Sequence, residues 1–184
     1  MWDTTVPMIS LAMRAASLED LPVFALPSRC GWRFYQPGDE RHWARIETSA
    51  GEFDRPEAAL EGFSKAFAGG GKLEERMLFL TDGGEPFATA TAWHDHGSQG
   101  RLHWVGVDAA HQGMGLSKPL VSLALQRLRE VGYRSAMLTT QTASWVAIKV
   151  YHRFGFRTLL RKGCEAEGWK IVSDKTGIDF LQYL

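Results

Sequence analysis

Between Leu102 and Val131 the hydrophobic period changes from two to that of a helix across one turn, Val107-Asp108-Ala109-Ala110-His111-Gln112-Gly113-Met114-Gly115-Leu116-Ser117-Lys118. Leu102 to Val107 reads as a strand. Leu120, Val121, Ala124, Leu125, Leu128 and Val131 fall at helical spacing from Leu116 onward, and Gly132 is a natural stop. A strand feeding a helix through glycines narrows the possible folds more than any other feature of the chain. Glycines at the mouth of a helix let backbone N–H groups converge on an anion, and the helix dipole favours negative charge there. A pyrophosphate is the obvious guest.

Two nucleotide-binding turns are excluded. A P-loop needs a Lys directly after its last glycine, and Lys118 follows Ser117. A dinucleotide fingerprint needs a third glycine where Lys118 stands, and a preceding βαβ unit. The segments before this turn read instead as hairpins. Met77 to Thr81 is apolar, Asp82-Gly83-Gly84-Glu85 is turn chemistry, and Pro86 to Trp93 alternates. His94 to Gly100 is polar and predicts the next hairpin loop.

Upstream, Met8 to Met13 and Trp32 to Tyr35 are short strand candidates. A helix is predicted from Glu40 to Thr48 after Pro37-Gly38-Asp39, and another from Pro56 carrying Ala59, Leu60, Phe63 and Phe67. Gly69-Gly70-Gly71 closes this helical part. Downstream, Tyr133 to Thr140 reads as a strand, Trp145 to Arg153 as a helix ending at Gly155, and Phe156 to Leu160 as a strand. One more strand is expected near Trp169 to Val172. The fold class is therefore α/β with a mixed sheet: an antiparallel meander, then helix, strand, helix, strand, with helices on both faces. Residues 1–30 are expected to be a strand and loop extension, and residues 31–184 the domain proper.

The 184 residues suit one domain, with 45% apolar and 23% charged residues. Lys plus Arg (21) equals Asp plus Glu (21), which leaves no electrostatic footprint for nucleic acid or an anionic membrane. No run approaches a membrane span, and the first residues lack the basic start of a signal peptide, so a cytoplasmic location is expected. Cys30 and Cys164 share no metal-ligand spacing and read as thiols of a reducing compartment. His94, Asp95 and His96 are competent ligands but sit in a predicted hairpin loop without a matching distant set, so no metal is expected.

Two motifs stand together. Gln112, Gly115 and Ser117 fill Gln/Arg-x-x-Gly-x-Gly/Ala after a strand ending in Val, with Ser in the last place. Ser144, Ala147, Tyr151, Gly155 and Phe156 fill Asn-x-x-Ala-x-x-x-Tyr-x-x-x-Gly-Phe, with Ser replacing Asn. In this order and at this distance they resemble the signatures of the Gcn5-related N-acetyltransferases. The resemblance covers roughly Arg76 to Leu160. It implies the acyl-coenzyme A N-acyltransferase fold, acetyl-CoA as cosubstrate, and direct transfer of acetyl to an amine, with a small-molecule acceptor expected. A homodimer is a common state among such proteins. A coenzyme A-sensing module without catalysis, or transfer to a hydroxyl or a protein lysine, is the alternative.

The same resemblance assigns roles. Gly113, Met114, Gly115, Leu116, Ser117 and Lys118 would present backbone donors to the pyrophosphate, with Gln112, Ser144 and Ala147 completing the cofactor side. The Val107 N–H would stabilise charge on the thioester oxygen. Tyr151 would protonate the leaving thiolate. Relatives often place a Glu four residues before the valine; here that place holds His103, a candidate base since histidine titrates near neutrality. Glu47, Glu52 and a water chain are other candidates for the base. The stretch from Pro37 to Ala68 holds more acids (Asp39, Glu40, Glu47, Glu52, Asp54, Glu57, Glu61) than bases, which suits a cationic amine or a solvated helix face equally. Trp93, Trp104 and Trp145 are either core or pocket walls.

Overall fold

In β4 (Glu85–His94), Ala88, Ala90 and Ala92 face one way while Thr89, Thr91 and Trp93 face the other, and all six are buried. A strand buried on both faces must be covered by helices on both sides. The same alternation divides β3 (Met77–Asp82), where Leu78 and Leu80 join one core while Met77 and Phe79 join the other. These observations come from a computed structural model that describes residues 2–69, 71–95, 97–161 and 165–183. Gly70, His96 and Cys164, each part of a sequence expectation above, lie outside the described residues.

The remaining strands are β1 (Ser10–Ala15), β2 (Cys30–Phe34), β5 (Gln99–Val107), β6 (Ser135–Gln141) and β7 (Arg157–Leu159). They form a seven-stranded sheet in the order β2-β3-β4-β5-β6-β1-β7. The β5–β6 pair is parallel and the others are antiparallel. Helices α1 (Glu40–Ala50) and α2 (Pro56–Ala66) cover one face. Helix α4 (Ser117–Glu130) covers the other, with α5 (Trp145–Arg153) and α6 (Glu165–Thr176) continuing that core. A four-residue helix, α3 (Leu73–Arg76), leads directly into β3.

Most expected elements are present, and three details differ. β1, set apart with residues 1–30 in the sequence, is an interior strand: Ser10 to Ala15 pair with Ala136 to Gln141 of β6 on one side, and Ala12 to Arg14 with β7 on the other. The chain enters the sheet early because Leu11 and Met13 are apolar enough to be fully buried there. The expected strand at Trp169 to Val172 is instead part of α6. Trp169 and Val172 are both 0% exposed, and their three-residue spacing is the spacing of a helix face. Gly168 allows α6 to approach β1, since a Cβ there would stand 2.9 Å from Leu11 Cδ2. Helix α3 follows the triple glycine and is too short to show a period.

The α1/α2 core is an aromatic cluster built around Trp43. Its ring lies 5.1 Å from Trp104, 5.3 Å from Phe63, 5.9 Å from Phe53 and 6.1 Å from Phe67, measured between centroids. Replacing Trp43 by Ala removes the centre of that cluster from a site with no solvent exposure. Urea denaturation of this variant is expected to show a loss of about 3–5 kcal/mol relative to wild type.

Candidate active site

β5 and β6 pair only through Gln99–Ser135, Gly100–Ala136 and Arg101–Met137. Beyond Met137, β6 keeps its other neighbour, β1, through Gln141. The facing edges of β5 and β6 therefore part, and two cavities fill the opening. One, of about 220 Å³, runs along the α4–α5 side and is walled by Val105, Val107, Leu116, Val121, Val146 and Val150. The other, of about 190 Å³, is polar, with Glu47, His103, Thr139, Thr140 and Gln141 in its wall. Glu52, Val105, Ser144, Ala147 and Tyr151 border both, so the cavities meet there.

A bulge in β5 shapes the junction. Thr89 pairs with Gly106 and Thr91 with His103, leaving Trp104 and Val105 opposite the single residue Ala90. Trp104 takes a left-handed backbone conformation (φ 47°), unusual for a residue with a side chain. The extra residue resets the alternation, so that Trp104 joins the aromatic cluster while Val105 and Val107 pack on the α4 side. Asp108 N–H donates to Phe87 O (2.8 Å). Alternation along a strand then turns the Val107 N–H away from β4 and toward the opening.

The glycine turn forms as its composition requires. Gly113 and Gly115 adopt φ of 78° and 75°, and a Cβ on either would meet nothing within 4 Å. Among the described residues, the N–H groups of Gly113, Met114, Gly115, Leu116 and Ser117 have no acceptor. They sit at the N-terminal end of α4, where partial positive charge collects. Two ties hold the turn. Gln112 Nε2 donates to Val107 O (3.0 Å), closing the loop onto the strand end. Asp108 accepts from Ala110 N–H (3.0 Å), Arg45 Nη1 (2.9 Å) and Ser49 Oγ (3.3 Å), while Ser49 Oγ accepts from Ala109 N–H (2.9 Å). Helix α1 thus anchors the loop from the opposite face of the sheet.

Of the residues singled out in the sequence, Val107, Gln112, Gly113, Gly115, Leu116, Ser117, Ser144, Ala147 and Tyr151 border the larger cavity. His103 borders the polar one. Met114 is turned outward, 54% exposed, with its sulfur 3.6 Å from Arg29 Nη2. The Lys118 ammonium lies over the Phe24 ring at 5.9 Å. Neither residue is part of the cavity wall, and the Lys118 N–H, expected as a free donor, is instead committed to Gly115 O (3.3 Å) within the turn. Gln141 was not singled out. It donates from Nε2 toward Glu52 Oε1 (3.4 Å) and Ser144 Oγ (3.3 Å). Nothing in its local pattern separates it from an ordinary strand-end residue. Trp2 was likewise unmarked, yet it borders the larger cavity beside Ala50.

Glu47 and Glu52 are brought together by the end of α1. Gly51 (φ 97°) turns the chain, its N–H donates to Thr48 O (3.0 Å), and the Glu52 N–H reaches back to Glu47 O (3.0 Å). Glu47 is wholly buried; its carboxyl pKa is pushed well above the ordinary 4.5 by burial and then by the Glu52 charge. Glu52 keeps an accessible surface but is recessed among protein atoms, and this partial desolvation raises its pKa against the lowering effect of Gln141. Tyr151 is raised by burial first and then by both carboxylates, so its phenol stays protonated. His103 is lowered to about 4 by burial, then by the nearby Arg101 and His94, and is neutral near pH 7. The other acids of this stretch lie elsewhere: Asp39 pairs with Arg33, Glu40 accepts from the Tyr35 hydroxyl (3.0 Å), and Asp54, Glu57 and Glu61 are exposed.

Residues 33–156, more than half of the chain, match the Acetyltransferase (GNAT) family. The chain belongs to this family. Among curated relatives, the mycothiol acetyltransferase of Pseudarthrobacter chlorophenolicus is 31% identical over 158 residues, covering 78% of this chain and 48% of that protein. The mycothiol acetyltransferase of a Parafrankia strain is 29% identical over 168 residues, covering 79% and 52%. The chain spans about half the length of the curated relatives it matches. Among solved structures, a GCN5-related N-acetyltransferase from Sphaerobacter thermophilus shares the fold with a TM-score of 0.68 at 23% identity, over 84% of this chain and 50% of that one. Within this GNAT fold, no group of metal ligands and no helix long and apolar enough to cross a membrane occurs among the described residues.

The buried carboxyl has a consequence for stability. The folded pKa of Glu47 is raised, so its contribution is fully present below about 4.5 and is lost as pH rises through the folded value. Glu47→Gln removes that loss. In thermal denaturation across pH 5 to 8, the Tm advantage of this variant over wild type is expected to grow as pH rises.

Proposed function

We propose that this chain is an acetyl-CoA-dependent N-acetyltransferase acting on a small-molecule amine. The observation that carries this reading is the meeting of the two cavities at Tyr151 and Glu52. One is apolar and headed by uncommitted amides at a helix N-terminus, while the other is polar and acidic. The name of the relatives, mycothiol acetyltransferase, supports a small-molecule acceptor.

The donor side fits the cosubstrate. Free N–H groups from Gly113 to Ser117, in a turn open where a Cβ would project, suit a pyrophosphate, and the valine-lined wall suits an apolar arm. Bound acetyl-CoA would supply an activated acetyl thioester. Val107 offers its N–H to an oxygen on which negative charge develops. Tyr151, held in its protonated form, is the proton donor to the departing sulfur.

For the base, Glu52 is better placed than His103. Glu52 borders both cavities and its raised pKa makes it a stronger proton acceptor than an ordinary carboxylate. His103 borders the polar cavity alone, and a pKa near 4 leaves it a weak base. The balance is simple: the amine nitrogen forms the N–C bond, the C–S bond breaks, one proton passes from nitrogen to Glu52, and one passes from Tyr151 to sulfur. The phenol is then restored by the proton held on Glu52. Transfer is direct, with no covalent enzyme step. Acetyl-CoA as the acyl donor and a cytoplasmic setting belong to this same reading.

Tyr151→Phe tests it. Turnover is expected to fall by about 10²-fold or more while acetyl-CoA affinity, measured by calorimetry, stays within about twofold. Unchanged turnover would remove the acid from Tyr151. Absence of acetyl-CoA binding to the wild-type chain would overturn the transferase reading as a whole.

A further inference from the structure

The segment that leads into β1 lies across the parted end of the sheet. Beyond the pairing of Ser10 with Gln141, the Thr142 N–H donates to Ile9 O (3.1 Å) and the Ile9 N–H to Thr142 Oγ1 (3.0 Å). The Thr142 hydroxyl donates to Pro7 O, and further back the Asp3 N–H reaches Ala143 O (2.9 Å). Residues 2–9 therefore follow the single helical turn Thr142–Ser144, which joins β6 to α5. They bring Trp2 into the wall of the larger cavity.

Asp3 fixes this course. Its carboxylate accepts from Trp145 Nε1 (3.0 Å) and pairs with Lys175 Nζ (2.9 Å), which ties the segment to α5 and α6 at once. It also accepts from the Thr5 N–H (2.9 Å) and hydroxyl (2.5 Å), a local turn for which Asp is suited. The Thr5 hydroxyl first, and then Lys175, hold this carboxyl well below the ordinary carboxylate range, so the tie carries its charge near neutral pH. While Asp3 is held on the α5 side, Trp2 rests on the end of α1: a Cβ at Gly51 would stand 3.8 Å from Trp2 Cβ and 4.0 Å from its Cγ.

Trp2 thus spans the opening beside Glu52 and Ser144, two of the residues where the cavities meet. It borders the larger cavity and not the polar one. The residue is half-buried, so part of a large apolar side chain is left for a guest to cover.

We infer that Trp2 is a wall of the donor channel that packs on the apolar arm of the acyl donor, and that Asp3 is the positioning residue that holds it there through Trp145 and Lys175. This deepens the transferase reading and rests on it for the identity of the arm. The valines of β5 and α5 meet the arm with small aliphatic surfaces. An indole adds a large, rigid face with few rotatable bonds to order. Because Asp3 holds the segment before any donor arrives, little of the binding energy is spent on placing that face.

The test is calorimetric titration of the full chain with two probes: coenzyme A, which carries the arm, and ADP, which carries the pyrophosphate without it. Trp2→Ala is expected to weaken coenzyme A binding about tenfold and ADP binding less than about twofold, with Trp2→Phe between wild type and Trp2→Ala. Lys175 borders neither cavity, yet Lys175→Met is expected to cost coenzyme A alone about threefold in affinity, and Asp3→Asn the same. A general loss of structure would weaken both probes together, so the difference between them reads the contact with the arm. Coenzyme A binding unchanged in Trp2→Ala, an equal loss for the two probes, or indifference to both tether variants overturns the inference and leaves the transferase reading in place. A wild-type chain that does not bind coenzyme A overturns both.

Discussion

The parting of β5 and β6 is the constraint on which the site depends. Three paired residues hold the two strands parallel, and then each strand is committed elsewhere. β6 is kept in the sheet by six pairs to β1, while β5 is kept by β4 across a bulge. Because β1 supplies the second neighbour of β6, the sheet tolerates an opening in its middle without losing an entire strand. The opening leaves backbone groups facing space, and unpaired backbone polar groups are costly unless something meets them. Gln112 meets one, the Val107 carbonyl. The Val107 N–H, directed into the same gap, is available to a guest.

The two faces of the sheet line different halves of the opening. On the α4 side, a glycine turn and valines make an apolar channel headed by free amides. On the α1 side, the aromatic cluster around Trp43 supports Trp104, and the C-terminal turn of α1 delivers Glu47 and Glu52. The halves are mechanically joined: Arg45 and Ser49 of α1 hold Asp108, the first residue after β5. A shift of α1 would therefore move the acidic cavity and the glycine turn together. The buried Glu47 carboxyl, with no hydrogen-bond partner among the described residues, is a cost of this arrangement in the folded state.

Short-range rules carried much of the assignment because they act within one or two turns of chain. Helices α1, α2, α4 and α5 and the β3–β5 meander follow from spacing, caps and hairpin chemistry. The glycine turn was legible for the same reason: φ near +75° at positions 113 and 115 is a demand that a sequence answers with glycine. The tail was misread where two apolar residues three apart, Trp169 and Val172, gave too short a pattern to separate helix from strand. β1 was recognised as a strand, but its place between β6 and β7 depends on pairing partners more than 120 residues away.

The sequence by itself determined the order of the strands and of the helices between them apart from the short α3, the glycine turn after β5 and the family, since each depends on residue types at fixed local intervals. Only the tertiary structure decided which acids border the cavities. Seven carboxylates are spread between residues 39 and 61, and their spacing does not distinguish a solvated face from a binding site. Folding buries Glu47 against Gly106, brings Glu52 back over it through the turn at Gly51, and leaves Asp54, Glu57 and Glu61 in water. It also places His103 where desolvation weakens it as a base. The physical reason is that protonation and charge compensation are set by what surrounds a group in space, and those surroundings come from β5, β6 and α5 as much as from α1.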